Sequence, residues 1–201
     1  MAPRKSTAEA ARSRARILDA TVDRASRHGL ASVTVGALAG DVGMSKAGVV
    51  GPFGSREALL GDTLDRAVEV FREAVPAPLD GTPPGPARVG RLLDLWIDYL
   101  ADCPFPGGCF VTAASSELDH RPGPLRDRIR TVADQWRRFL VAEITEARAQ
   151  GLSGRADPED LATALVGLSM AANQEIQLLE DPAAPARARR LMRAAVGLAP
   201  A

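Results

Sequence analysis

The sequence predicts an all-α fold in two parts. In almost every periodic segment the apolar residues recur at helical rather than alternating spacing. Two short segments, each with an N-cap residue in front of it, flank a turn at Gly43. The stretch 76–86, PAPLDGTPPGP, has five prolines and two glycines and predicts a non-helical linker. We therefore expect an N-terminal domain over residues 1–60 and a helical domain over 61–201.

The N-terminal domain is predicted to contain a helix-turn-helix. A long first helix should run from about Thr7 to His28. Gly29 directly after it is a natural C′ residue, the position that follows a helix end. Thr34 then caps a supporting helix that reaches Val42, and Ser45 caps a second short helix that ends by Val50 or Gly51. Ser55 caps the next helix, REALLGDTLDRAVEVFREAV.

The distal domain shows the same helical patterning. Apolar residues between Val89 and Leu100 form an amphipathic stripe, and a helix of about 25 residues ends at Gly151. Asp157-Pro158 opens another helix, because aspartate caps a helix and proline suits its first position. The inward faces predicted for the last two helices are Leu161, Leu165, Leu168, Ala172 and Leu179 on one and Ala188, Leu191, Met192 and Ala195 on the other.

Composition points to a polyanionic partner at one end of the chain. The 201 residues carry 25 basic and 25 acidic side chains, yet residues 1–60 hold nine basic against five acidic ones. No apolar run approaches the roughly 18 residues that cross a bilayer, and no signal peptide follows the basic start. We therefore expect a cytoplasmic protein in which Cys103 and Cys109 are reduced thiols.

The residue types around Ser45 suit a DNA groove. A capped helix start leaves N–H groups for a phosphate, and Lys46 adds a mobile charge for a second phosphate. Small residues after it permit close approach to base edges, and the arginines of the first helix can neutralise backbone charge. The predicted DNA contacts are Arg14, Thr34, Val35, Ser45, Lys46, Ala47, Gly48, Val49 and Arg56.

The run from Ile17 to Leu60 resembles the DNA-binding domain of the tetracycline-repressor (TetR) family. The resemblance rests on the spacing of glycines, capping residues and the Ser55-x-Glu57-x-Leu59 pattern in ILDATVDRASRHGLASVTVGALAGDVGMSKAGVVGPFGSREALL. The distal FPGGCFVTAASSELDHRPGPLRD is similar to a regulatory domain of one subgroup of that family. The resemblance implies a homodimeric transcriptional regulator, usually a repressor, that pairs through its last two helices and holds a small-molecule pocket.

Two positions depart from the family's pattern. The family usually has an aromatic residue, most often tyrosine, at Val50, and often histidine or tyrosine at Pro52, where those side chains commonly touch phosphates. Valine cannot donate a hydrogen bond, and proline lacks even a backbone N–H. We expect a shortened recognition helix that still binds DNA, with a vestigial helix-turn-helix on a small-molecule-binding dimer as the alternative.

Aromatic residues of the distal domain are candidates for an effector cavity, since such cavities are mainly apolar with a few placed polar groups. The same residues could simply form the core. An uncharged polar stripe on the penultimate helix could orient a ligand or bridge two subunits. The candidates are Trp96, Cys109, Phe110, Ala113, Trp136, Phe139, Met170, Asn173, Gln174 and Gln177.

Other chemistries find little support in the sequence. Cys109 at a helix start could be a thiol sensor, although buried reduced cysteines are the plainer interpretation. The only two histidines, His28 and His120, lie in unrelated segments and match no metal-site spacing. No nucleophile elbow, dinucleotide fingerprint or phosphate-binding loop is present. We expect no cofactor, no metal and no enzymatic activity.

Overall fold

The computed structural model describes residues 7–199, and over that range it contains nine α-helices, two 3₁₀ turns and no strand, which confirms the all-α prediction. The basic start at Arg4 and Lys5 lies outside the described residues. The 3₁₀ turns are Leu30–Ser32 and Ala77–Leu79. The helices are α1 Thr7–His28, α2 Val35–Val42, α3 Lys46–Val50, α4 Arg56–Ala74, α5 Pro86–Ala101, α6 Phe110–Leu118, α7 Pro124–Ala149, α8 Pro158–Gln177 and α9 Ala184–Ala195.

The chain divides into two compact units. The first comprises the described residues up to Glu69 together with Phe105–Ile129, and the second comprises Val70–Pro104 with the described residues from Arg130 onward. Two of the three divisions therefore fall inside α4 and α7, and the third lies between α5 and α6. As a result, α6 belongs to the same unit as the predicted helix-turn-helix, although about fifty residues separate it from the first turn of α4 in sequence.

The first unit is built on the inward faces of α1, α2 and α4. Ile17, Leu38, Leu59 and Leu64 are fully buried, so each of the three longer helices contributes apolar side chains to the core. Leu18, Val22 and Ala25 on α1 are buried as well. The buried hydroxyl of Thr21 donates to the Ile17 carbonyl at 2.6 Å and so adds no unsatisfied group to this core.

The second unit has the amphipathic α5 at its centre. Every residue of the predicted α5 stripe is buried, and α5 packs with both α8 and α9. Leu140, Ile144, Leu165 and Met192 complete the fully buried set from α7, α8 and α9. Burial of an aliphatic side chain of this size contributes about 1.5–3 kcal/mol, so these contacts hold the unit together.

Parts of the predicted α8 and α9 faces were wrong. Leu179 and Leu191 are 65% and 49% exposed, and Ala195 is also exposed. The reason is that α8 ends at Gln177, so Leu179 lies in the turn after it rather than on its inward face. On α9 the buried positions are Ala184, Ala188 and Met192, a narrower stripe than predicted.

The proline-rich stretch is not a loose linker, which corrects a second expectation. Residues 77–79 form a 3₁₀ turn, because the φ angle that proline fixes suits the first turn of a helix. Leu79 within it is fully buried. The Arg88 guanidinium donates to the carbonyl oxygens of Leu79 and Thr82, which ties the stretch to α5.

Two arginines join segments of the second unit through ion pairs. Arg88 binds both carboxylate oxygens of Glu143 at 2.8–3.0 Å, and this hydrogen bonding raises the pKa of Arg88. Arg187 binds Glu175 at 2.8 Å and also Asp181, which joins α8 to α9. The hydrogen bond from Arg187 holds the pKa of the Asp181 carboxyl below its usual value.

We predict that Arg88→Ala lowers the free energy of unfolding by about 2–3 kcal/mol, because it leaves a largely buried carboxylate and two carbonyls without their donor. Urea denaturation followed by circular dichroism measures the change. Arg137→Ala is the matched control, since its pair with Glu159 is exposed and should contribute at most about 0.5 kcal/mol. Equal losses in the two variants would contradict the assignment.

Candidate nucleic-acid interface and aromatic cluster

The predicted helix-turn-helix is confirmed in its caps and its turn. The Thr34 hydroxyl accepts from the Ala37 N–H at 3.2 Å and caps α2. Gly43 ends α2 in the left-handed region at φ 63°, where glycine is favoured. The Ser45 hydroxyl accepts from the Gly48 N–H at 3.1 Å and caps α3.

Helix α3 has only five residues and ends at Val50, as the sequence predicted. The Gly51 N–H still donates to the Ala47 carbonyl at 2.8 Å, but Pro52 has no N–H to continue the ladder. A Cβ atom at position 51 would lie 2.9 Å from that same carbonyl oxygen, so glycine fits this tight turn better than a larger residue. The chain then turns through Phe53 and Gly54, whose N–H groups both bond the Val50 carbonyl at 2.9 Å.

The exposed side of α3 carries the small and charged residues. Ser45, Lys46 and Ala47 are exposed, and Gly48 is half-buried. Lys46 bends back over α2, since a Cβ atom on Gly36 would contact its side-chain carbon at 3.6 Å. Backbone N–H groups at the start of a capped helix carry partial positive charge, and the ammonium of Lys46 adds a full positive charge to this side.

Val49 does not belong to the exposed side, which corrects the prediction for it. Its side chain is fully buried in the core of the unit and cannot reach a base edge. A helix of barely one turn has one inward position, and Val49 occupies it. Val50 is half-buried and Pro52 is exposed, so the side chains at the two atypical positions end at or near the surface without a hydrogen-bond donor.

Two predicted DNA-contacting arginines serve the unit's own structure. Arg56 donates to the Val33 carbonyl at 2.6 Å and to the Leu30 carbonyl at 3.2 Å. Arg14 pairs with Asp62 and lies over the Phe53 ring at 4.9 Å from its centroid. Both therefore position helices of the unit. The remaining predicted contacts, Thr34 and Val35, are exposed and half-buried respectively.

Sequence reasoning missed the groups that hold the turn between α1 and α2. The Glu117 carboxylate on α6 accepts from the backbone N–H groups of Leu30 and Ala31 at 2.7 and 2.9 Å. Arg24 donates to the Ser32 carbonyl and to Asp41. No local pattern could reveal the Glu117 contacts, because 86 and 87 residues separate the partners.

Five aromatic side chains of the second unit form one cluster. The Trp136 ring stacks on Phe139 at 5.4 Å and meets Phe71 and Trp96 edge-on, each at 4.9 Å. Tyr99 meets Phe71 at 5.0 Å. Three of the predicted effector residues are thus brought together, and Trp136 and Phe139 remain half-buried.

The indole N–H of Trp136 is buried, and no acceptor among the described residues lies within hydrogen-bonding distance of it. A buried donor without an acceptor is costly, by about 1–3 kcal/mol. The cluster therefore combines packed aromatic rings with one buried hydrogen-bond donor.

The other predicted effector residues lie elsewhere. Cys109 and Phe110 are buried at the start of α6 in the first unit, where Phe110 meets Phe105 at 6.1 Å, and Ala113 on the same helix is exposed. The polar stripe of α8 runs along its outer side: Met170, Gln174 and Gln177 are exposed and Asn173 is half-buried. An open groove of about 510 Å³ between α5 and α9 contains none of these residues.

Among the described residues, no group of histidine, cysteine and acidic side chains has the arrangement of a metal site. In the same part of the chain, no helix combines the length and the apolar character that a membrane span needs.

Two family models match the chain. Residues 17–63 match the model described as bacterial regulatory proteins, tetR family, and residues 85–192 match the tetracyclin repressor-like C-terminal domain. The second match alone covers more than half of the chain and includes the α6 segment. A search of curated protein sequences finds no match.

Solved structures share the fold. A TetR transcriptional regulator from Chloroflexus aurantiacus J-10-FL has a TM-score of 0.85 at 23% identity, over 94% of this chain and 96% of that one. A TetR-family regulator from Agrobacterium tumefaciens has a TM-score of 0.82 at 18% identity, over 94% and 99%. AibR, solved with isovaleryl coenzyme A and operator DNA, has a TM-score of 0.74 at 18% identity, over 92% and 98%.

We predict that Val49→Ala lowers the free energy of unfolding by about 1–2 kcal/mol, since it leaves a cavity in a packed core. Val50→Ala, one residue further along the same helix, should cost less than half as much because its side chain is half-buried. Urea denaturation of both variants measures the difference. If Val50→Ala proved the more damaging change, Val49 would not be the inward residue of α3.

Proposed function

Because this chain belongs to the tetracycline-repressor family of transcriptional regulators, we propose that it is a ligand-responsive repressor that binds a palindromic operator as a homodimer. A small-molecule effector releases it from that operator. The observation that carries the proposal is the capped helix α3, whose exposed side presents Ser45, Lys46, Ala47 and Gly48 and no bulky side chain. A major groove admits such a helix end.

The groups on α3 divide into positioning and reading roles. The Ser45 cap and the first N–H groups of the helix suit a phosphate oxygen, and the Lys46 ammonium suits a second one. Ala47 and Gly48 add little bulk, so the backbone can approach base edges closely. Direct readout at this surface is then limited to small apolar contacts, such as that of Ala47 with a thymine methyl group.

A second copy of the chain supplies the second reading helix. The large apolar side chains that remain exposed among the described residues are Met170, Leu178, Leu179 and Leu191, and all four lie on α8, on α9 or in the turn between them. Apolar side chains gathered on two neighbouring helices support pairing through a four-helix bundle about a two-fold axis. The operator should then contain half-sites one DNA turn or a multiple of it apart.

The aromatic cluster around Trp136 is the proposed effector site. Its rings offer stacking surface, and the indole N–H lacks an acceptor among the described residues. An apolar effector that supplies an acceptor oxygen satisfies that donor and is favoured over a purely hydrocarbon one. Its binding favours a protomer arrangement in which the two reading helices no longer fit successive grooves, and the operator is released.

A second candidate function follows from the atypical positions. Val50 and Pro52 offer no hydrogen-bond donor to a phosphate, so a dimer that binds the effector without binding DNA is the alternative. Selection of bound sequences from a random DNA pool with the purified protein at low salt decides between them. Enrichment of an inverted repeat supports the repressor, whereas no enrichment in repeated selections leaves the effector-binding dimer.

We predict that Lys46→Ala weakens binding to the operator and to unrelated DNA by a similar factor, since a lysine on a phosphate reads no sequence. The slope of log affinity against log salt should fall by about two for the dimer, one per subunit. Fluorescence anisotropy with labelled duplexes at several salt concentrations measures both. A loss confined to the operator would instead assign Lys46 to a base.

We predict that Trp136→Phe weakens binding of coumarin, a flat molecule with a carbonyl oxygen, at least fivefold, because a smaller aromatic ring remains but the N–H is lost. Naphthalene, which has no acceptor, should bind both proteins within about a factor of two. Equilibrium dialysis against each probe gives the affinities. Equal weakening for the two probes would show that only packing had changed.

A further inference from the structure

The segment that begins at Phe105 belongs structurally with the DNA-binding part of the chain. Residues 105–129 lie in the same compact unit as the helix-turn-helix, although the C-terminal family model includes them. The segment reaches this unit from residues of the second unit and returns to that unit within α7. The contacts that this segment makes with the helix-turn-helix domain are therefore contacts within one compact unit.

Glu117 accepts hydrogen bonds from the backbone of the turn between α1 and α2. We call this turn, residues 29–33, the corner. The two carboxylate oxygens of Glu117 each accept one N–H, from Leu30 at 2.7 Å and from Ala31 at 2.9 Å. These are the first N–H groups of the 3₁₀ turn, which have no partner within the turn itself. Hydrogen bonds from neutral N–H groups to a charged carboxylate are stronger than those between neutral groups.

The corner is shaped to receive this carboxylate. Gly29 has φ 79°, a conformation that favours glycine, and a Cβ atom there would lie 3.0 Å from one Glu117 oxygen. A side chain at position 29 would therefore crowd the oxygen that bonds Leu30.

A second hydrogen bond joins the same segment to the last turn of α1. The Gly107 N–H donates to the Ser26 hydroxyl at 2.7 Å. A Cβ atom on Gly107 would lie 1.9 Å from the Ser26 carbonyl oxygen, so only glycine permits this close approach. Two contacts, at Ser26 and at the corner, fix the segment in one register. Each joins a side-chain oxygen to backbone N–H groups.

The acceptors of the corner are held by arginines on α1 and α4 of the same unit. Arg56 binds the carbonyls of Leu30 and Val33, and Arg24 binds that of Ser32. The donors at the start of the corner are held by Glu117 alone among the described residues. The corner leads directly into Thr34, whose hydroxyl caps α2, so its position sets where α2 begins.

From this arrangement we propose that Glu117 is a positioning residue for operator recognition. Its carboxylate fixes the corner, the corner fixes the start of α2, and α2 carries α3 to the depth and angle that specific binding requires. Operator binding depends on that angle in both subunits at once, whereas binding to unrelated DNA depends mainly on charge. The inference rests on the proposed DNA-binding function.

Glu117→Gln in the full-length protein tests the inference. The amide keeps the size of the side chain, but its NH₂ group now faces one of the two N–H donors. Glu73→Gln is the control, since it removes the same charge from an exposed position on α4. We expect at least fivefold weaker operator binding for Glu117→Gln, with less than a twofold change on unrelated DNA and no change for the control.

Amide hydrogen exchange provides a readout that does not involve DNA. Exchange at Leu30 and Ala31 should speed up at least tenfold in Glu117→Gln while exchange in the core of α1 stays constant. Ser26→Ala weakens the second contact without changing charge, and it should lower operator affinity about two- to threefold in the same selective way.

The outcomes distinguish failure of the positioning role of Glu117 from failure of the proposed DNA-binding function. Unchanged operator affinity in Glu117→Gln, with wild-type protein bound to its operator, overturns the positioning role and leaves the proposed function intact. Equal loss on operator and unrelated DNA also overturns it, because general destabilisation acts on both. If the wild-type protein binds no operator, the proposed function and the positioning role fall together, and the exchange rates report only the local contact.

Discussion

Helix α3 is too short to be stable on its own, and the proposed DNA binding depends on the contacts that stabilise it. Five residues form barely one hydrogen-bonded turn, which is unstable in isolation because helix nucleation is unfavourable. The Ser45 cap, the buried Val49 and the tight turn at Gly51 supply the missing stabilisation. Pro52 then prevents the helix from continuing. The residues that face outward all precede it in the sequence.

Much of the basic charge of the N-terminal part is used internally. Of the nine basic residues in the first sixty, five arginines pair with groups of their own unit: Arg14, Arg16, Arg24, Arg27 and Arg56. Their charge still contributes to the field around the unit, but their guanidinium groups hold carbonyls and carboxylates that fix helix positions. The excess of positive charge therefore serves in part to hold the structure of the unit.

Local signals in the sequence predicted most of the helices. Glycine after the last helical residue located the end of α1 at His28, and Pro52 predicted that α3 ends by Val50 or Gly51. One turn of helix has too little periodicity to show which residue points inward, so the burial of Val49 was missed. The exposure of Leu179 followed from a helix end without a strong stop signal.

Contacts between distant segments were out of reach. The Glu117 grip on the corner and the pairing of Gly107 with Ser26 join residues more than eighty positions apart, and neither involves a recognisable pattern. Three rings of the aromatic cluster were among the predicted effector residues, whereas Phe71 and Tyr99 were not. The structure adds which rings touch and which donor lacks an acceptor among the described residues. Such information arises only when the packing of several helices is known.

The most direct test of the account is methylation protection of guanine N7 in DNA selected by the unmodified protein, since N7 faces the major groove. Binding of two α3 helices in the major groove predicts two protected clusters, symmetrically placed and one helical turn or a multiple apart, with adenine N3 in the minor groove still reactive. Full N7 reactivity across DNA that is demonstrably bound would contradict it, because α3 would then not lie in the major groove.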